Sequence, residues 1–377
     1  MGSRIAEARR AAGLTQRDLA KHIGRDRWSV ARLEKGERNV SAFELAQIAE
    51  ALGTTPAHLL GRSTHVASMA VAHRVDAAVV PEHLRAAQAR ARRFFELDAL
   101  LDQIGEPDRR GSPLPELAPP TAGGPGHQGQ RLAEALRDHL GLGDRPLPDL
   151  TGLAELRLGV DVALEPMPSD VAGLCVVVGG RALAMANSSV PQGRQRFTVA
   201  HEIGHILCGD PQEVRAECDL DTSTAPEEAR ASAFARHLLL PVAAAHRELA
   251  ERPTDRDVLR VMYAYGISLR ALLIQLRDTN LLDQEQVARL QSTGPGQLSY
   301  LNGFRSDWTA AYRTCVDVRR PPARLEARVL QAYRAGRMGI GPVADLLVTE
   351  DAEALRGQLA DEGIRPPVFQ SDRTLLA

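Results

Sequence analysis

The sequence predicts a mainly α chain with one small β-sheet, divided into more than one domain. Three observations carry this. At 377 residues the chain exceeds one ordinary domain. Aromatics make up 4% against 44% apolar residues, so the cores must draw on Ala, Leu and Val, and Ala and Leu are the strongest helix formers. Strand-like segments rich in Val, Ala and Leu, namely Leu156–Leu164, Leu174–Val178 and Ala182–Ala186, gather in a single stretch bounded by Gly or Pro.

Composition also excludes classes. A charged fraction of 25% and a net charge of −2 are those of a globular domain, not of a disordered tail. No apolar run approaches the ~20 residues that span a bilayer, so no membrane partner is expected. The first residues lack the apolar core of a signal peptide, and a cytoplasmic location is expected. Cys175, Cys208, Cys218 and Cys315 are widely spaced without a CxxC pair and read as reduced thiols.

Four stretches separate along the chain. Residues 1–62 are short helical patterns with sharp caps. Residues 63–127 read as a connector. It contains a helix over Pro81–Ile104, followed by an extended linker holding Pro107, Pro113, Pro115, Pro119, Pro120 and Pro125. Residues 128–282 run helix, strands, helices. Residues 283–377 are again mostly helical. In that last stretch "RVLQAYRAGRMGIGPVADLL" is interrupted by Gly336, Gly339 and Gly341, and leaves open a second recognition element, a docking surface or a cap on the core.

The first stretch has a net charge of about +4, from eleven Lys/Arg against seven Asp/Glu. Thr15 and Asp18 form a capping box that opens a helix whose Leu19, Ala20 and Ile23 face inward. Gly24 allows the tight turn that follows. Asp26 caps the next helix, Arg27–Lys35, with Val30 and Leu33 inward. Ser41 and Glu44 form a second capping box, and Leu45, Ile48, Ala49 and Leu52 extend the core. Thr55-Pro56 starts a last helix with Pro at its permitted first position. The order resembles the XRE (lambda-repressor-like) helix-turn-helix family, through "AGLTQRDLAKHIG" and "VARLEKGERNVSAFELAQIAEALG". The resemblance implies a five-helix bundle that binds double-stranded DNA, with Arg27–Lys35 in the major groove. Arg27, Trp28 and Arg32 then become candidates for base contacts, Gln16 and Arg25 for phosphate contacts, and Ser29 for a further DNA contact. Such readers work as symmetric pairs, so a homodimer is expected.

The second motif is "RFTVAHEIGHILC", which contains HExxH. Residues four apart share one helix face, so His201 and His205 can offer two imidazoles to one metal ion. Glu202 stands between them, where a carboxylate can accept a proton from an activated water. HExxH is short and recurs by chance, so a third ligand is the test. Glu228 precedes the stripe Ala231, Phe234, Ala235 and Leu238 on the same side of a later helix, whereas Glu227 sits one residue off it. His237 has no evident partner, and Cys208 reads as a plain thiol. "RFTVAHEIGH" followed by "ExxAxxFAxxLLxP" resembles the ImmA/IrrE metallo-endopeptidases. That resemblance implies a zincin-like α+β domain, a zinc cofactor held by His201, His205 and Glu228, and Glu202 as general base. Ser232 stands where Asn is frequent in that family and Leu240 where Met is, which bears on the surroundings of the ligands.

Three functions remain open at this point. The chain is a DNA-binding regulator whose peptidase cleaves a protein, such as another helix-turn-helix repressor. Or its metal domain senses a ligand or a metal without cleaving. Or it is an antitoxin-like DNA-binding protein that uses the second domain for docking.

Overall fold

A computed structural model describes residues 2–12, 14–36, 38, 40, 42–52, 59, 82–108, 111–117, 121–210, 225–311 and 316–367. Among them are eighteen helices and one three-stranded sheet, the mainly α fold with a small sheet that the composition predicts. The chain divides into two compact units, Met1–Arg74 and Val75–Ala377.

The first unit contains α1 (Gly2–Ala11), α2 (Gln16–His22), α3 (Arg27–Lys35) and α4 (Ala42–Ala51). Local chemistry sets each boundary. Thr15 accepts from the Asp18 backbone N–H while the Asp18 carboxylate accepts from Thr15, which closes the capping box on α2. Gly24 takes the positive φ of 63° that the turn into α3 requires. Asp26 caps α3 by accepting from the Ser29 N–H. Leu19, Ala20, Ile23, Val30, Leu33, Leu45, Ile48, Ala49 and Leu52 are all buried, with Ile5 and Leu59. The helix expected from Thr55 and the cap expected from Ser41 lie outside the described residues. Glu44 is described: its carboxylate is buried and pairs with Arg25 (3.3 Å) and Arg38 (2.9 Å).

The second unit is built on a sheet of β1 (Val160–Glu165), β2 (Gly173–Val178) and β3 (Arg181–Asn187) in the order β1-β3-β2. β3 runs parallel to β1 and antiparallel to β2. Gly179 and Gly180, both at positive φ, make the two-residue turn between β2 and β3. One expectation needs correction. Leu156–Leu158 does not begin a strand, because Asp149 caps a helix that runs over Leu150–Arg157 (below, α7), and only beyond Gly159, at a φ of 63°, does the chain become extended.

Side chains alternate across β3 and so give the sheet two different faces. Ala182, Ala184 and Ala186 lie with Val160 and Val162 in one core. That core also holds α6 (Pro125–His139), α7, α8 (Gln192–Cys208) and α9 (Pro226–Leu239), as well as α11 (Asp255–Tyr265) and α12 (Leu269–Asp278). The three alanines let α8 lie close against the strands. Leu183 and Met185 face the other way, into a second core. This one is shared with α5 (Glu82–Gln103), α16 (Ala323–Arg334), α17 (Ile340–Leu347) and α18 (Ala352–Asp361). The remaining helices are α10 (Val242–Glu248), α13 (Gln284–Thr293), α14 (Pro295–Leu301) and α15 (Arg305–Thr309).

The helix expected in the connector is therefore part of this second core, and the glycine-interrupted C-terminal helices cover the sheet beside it. Between α5 and α6, the proline-rich segment also packs. Glu106 is buried against Arg337 (2.9 Å), and Ser112 N–H donates to the Leu156 carbonyl at 3.2 Å. The last of its prolines, Pro125, opens α6.

Candidate metal centre

α8 starts after Pro191 and ends at Gly209, whose left-handed φ of 64° closes its last turn. Nearly every residue from Gln195 to Leu207 is buried, including His201, Glu202 and His205. Polar groups in such a place are costly unless paired or bound to a metal. α9 crosses beside α8, and Gly204 makes this possible: a Cβ there would stand 2.9 Å from Phe234 Cδ1 and 3.3 Å from Ala231 Cα. Gly129 on α6 plays the same part on the far side of α9, facing the Arg230 carbonyl.

This packing brings Glu228, at the first turn of α9, to the two histidines. His201 Nε2 and His205 Nε2 are 3.0 Å apart, and Glu228 reaches them at 3.2 Å and 3.5 Å. Ligand atoms from the three residues all lie within 4.8 Å of one another, the only such trio among the described residues. Glu228 is buried whereas Glu227 is half-exposed and outside the group. Two imidazoles and a carboxylate are the donors that a zinc-type ion takes, so the residues fit a metal ion.

The far sides of both rings also meet oxygen atoms. His205 Nδ1 is 2.8 Å from Asp210 Oδ2, and Asp210 is paired with Arg230. His201 Nδ1 is 3.4 Å from Ser232 Oγ. Burial pushes His205 down, but its hydrogen bonds to Asp210 and Glu228 outweigh that and bring its pKa to about 9.

Glu202 is 4% exposed and does not join the trio. Burial pushes its carboxyl above the usual range, against the pull of His201, His205 and a hydrogen bond from the Cys175 thiol on β2. Gly173 leaves the room for it: a Cβ at that position would stand 3.1 Å from Glu202 Oε1. Asp210, Arg230 and Gly173 escaped the sequence reading, and Cys175 was read there only as a reduced thiol. Nothing in their local pattern sets them apart, and only packing brings them to the site. His237 is half-buried away from the trio, with Gln275 Nε2 at 3.0 Å from its Nδ1. Cys208 is a partly buried thiol, and so is Cys175.

In the first unit, α3 turns Arg27, Trp28 and Arg32 outward, and Trp28 is 77% exposed. Ser29 does not share that face: it is buried, and its hydroxyl donates to Asp26 at 2.8 Å. Gln16 donates to Glu34 at 2.8 Å, and Arg9 pairs with the same carboxylate at 2.6 Å. Arg25 is half-exposed and leans on Glu44.

Fold and site define a helix-turn-helix unit joined in one chain to a zincin-like unit with a His-His-Glu group close enough to hold a metal ion. Comparison with protein families agrees. Residues 5–59 match the helix-turn-helix family, and residues 156–277 match a peptidase family described as the IrrE N-terminal-like domain. The second match begins inside α7 and ends with α12, so α5 and α16–α18 lie outside it. No curated protein matches the chain. No helix among the described residues is long and apolar enough to cross a membrane.

Proposed function

We propose that this chain is a cytoplasmic DNA-binding transcriptional regulator whose second unit is a zinc-dependent endopeptidase acting on a regulatory protein. The observation that carries the reading is Glu202, a buried carboxylate set between two convergent histidines without joining their donor group. A site that only binds metal has no use for that carboxylate, whereas a hydrolase needs a base there.

His201, His205 and Glu228 hold the zinc ion. Bound there, zinc supplies Lewis acidity toward a peptide carbonyl and toward water. Glu202 takes the proton of the attacking water and returns it to the departing amine. Burial shifts its carboxyl above the usual range, the direction that a group which must also hand a proton on requires. Ala231 and Phe234 against Gly204 keep the two ligand-bearing helices in register.

On the DNA side, Arg27, Trp28 and Arg32 read base edges from α3, and Gln16 and Arg25 lie toward the phosphates. The partner is duplex DNA bound by a homodimer on a palindromic site. The substrate is a regulatory protein, such as another helix-turn-helix repressor.

The test uses purified full-length protein, zinc analysis and cleavage of co-encoded regulators. Wild type binds about one zinc per chain. His201→Ala, His205→Ala and Glu228→Ala each lose it. Glu202→Gln keeps zinc and DNA binding but cleaves ~10²–10⁴-fold more slowly. If Glu202→Gln cells answer the native signal as wild type does, catalysis is irrelevant and the domain is a sensor. Arg27→Ala or Arg32→Ala lowers the preference for the specific site by ~1–3 kcal/mol. Duplex binding that does not weaken as salt rises rules out the DNA reading.

A further inference from the structure

We infer that Asp210 and Arg230 are positioning residues of the metal centre, which hold His205 in the tautomer and orientation that a metal ion requires. The inference rests on His201, His205 and Glu228 being the ligands.

An imidazole that binds a metal through Nε2 must carry its remaining proton on Nδ1. Asp210 Oδ2 is 2.8 Å from His205 Nδ1. An ionised carboxylate can only accept, so this contact keeps the proton on Nδ1 and leaves the Nε2 lone pair to the metal. The bond also raises the basicity of the ring and stops it from swinging. His201 has a weaker version: Ser232 Oγ stands 3.4 Å from its Nδ1, and a hydroxyl can either donate or accept.

The backbone explains how Asp210 gets there. Gly209 leaves α8 in the left-handed region, and the Asp210 N–H turns back to donate to the His205 carbonyl at 3.2 Å. The carboxylate is thereby folded under the ring of the last ligand on the helix. Asp210 is 9% exposed, and a carboxylate in such a place needs a counter-charge, which Arg230 supplies. Arg230 stands two residues after Glu228 on α9. One helix thus grips His205 at both ends. Glu228 lies 3.5 Å from Nε2, while Arg230 acts at Nδ1 through Asp210.

The experiment compares full-length wild type with Asp210→Ala, Asp210→Asn, Arg230→Ala, Arg230→Lys and Ser232→Ala. Two readings are taken: zinc affinity by chelator competition, and the visible absorption of the cobalt(II)-substituted protein, which reports ligand geometry. Thermal unfolding of the metal-free forms shows which variants fold. Asp210→Ala should weaken zinc ~10–100-fold and alter the cobalt bands. Asp210→Asn, which keeps the shape but loses the charge, and Arg230→Ala should lose less. Arg230→Lys should recover most of the affinity, and Ser232→Ala should cost least. If Asp210→Ala does not fold, the isosteric Asp210→Asn decides. Variants that lose metal-free stability but keep wild-type zinc affinity and cobalt bands overturn the inference and leave a plain tie between α8 and α9. If wild type itself takes up no zinc, the ligand assignment fails first, and that result is distinct because no variant then differs from it.

Discussion

Two clusters of ionisable side chains, buried on opposite sides of the sheet in the second unit, are built on opposite principles. Behind the sheet, Asp98 on α5 accepts from Arg181 at the start of β3 and from Arg324 and Arg328 on α16. Arg324 also meets Asp161 at 2.6 Å and Asp108 at 2.9 Å. Burial alone would push Asp98 up, but the three guanidinium groups outweigh it and hold the carboxyl below its usual range. Charge is matched within the chain, and the cluster is architecture. In front of the sheet, two imidazoles and a carboxylate crowd their electron-pair donors within 4.8 Å. That set turns its electron pairs toward one point, where a metal cation from outside the chain would fit. Matched charge marks a strut and convergent donors mark a site.

The largest effect that can break this contrast is on stability. Asp98→Ala removes the buried carboxylate that three arginines share, leaving Arg328, which is 2% exposed, to Asp102 and two backbone carbonyls, and should destabilise the metal-free protein by about 3–5 kcal/mol in denaturant unfolding. Glu228→Ala gives up its contacts to His201 and His205 and should cost clearly less. Equal losses would erase the distinction between strut and site. The converse appears with metal. Zinc at about 100 times its Kd should stabilise wild type by about 2.7 kcal/mol and leave Glu228→Ala unmoved, as read from melting with and without a chelator. If Glu228→Ala gains as much, the third ligand is another group.

Two smaller effects sharpen the picture. Gly204→Ala forces a methyl against Phe234 and should cost about 1–3 kcal/mol, with weaker zinc binding because the helices that carry the ligands are pushed apart. Unchanged zinc affinity would show that the α8–α9 spacing is not critical. His237 gives the smallest. Burial lowers its pKa to about 4, from about 6.5 when unfolded, so the folded state favours the neutral ring. Its stabilisation is complete above about pH 6.5 and drains as pH falls towards 4, because the unfolded chain binds the proton first. With solvent screening of this half-buried ring, the loss by about pH 5 is about 1 kcal/mol. His237→Gln should flatten that part of the pH–stability curve, and an unchanged slope would place the titration elsewhere.

Much of the first unit was legible because its signals are local. Thr15 and Asp18, Gly24 and Asp26 act within a few residues of themselves, and each boundary they imply is observed. HExxH is legible for the same reason, since a helix alone aligns His201 with His205. The choice of Glu228 over Glu227 followed from one helical stripe. The strand expected from Leu156 failed where a local signal was ambiguous. An apolar run there suits either state, and the Asp149 cap made it helix up to Gly159. Asp210 was missed although it is five residues from His205, because its position depends on how α8 ends at Gly209.

By itself, the sequence determined the helix ends, the two motifs and the chemistry of the donors. Hydrogen bonds between near neighbours and a period of 3.6 residues decide these without help from distant parts of the chain. The tertiary structure alone decided that α5 and the C-terminal helices cover the back of the sheet. It also decided that Arg328 meets Asp98 across 230 residues, and that α9 comes close enough to α8 for Glu228 to reach the histidines. The physical reason is that such contacts depend on shape and burial. An Asp that neutralises a buried Arg looks, in the sequence, like any Asp on a solvated face.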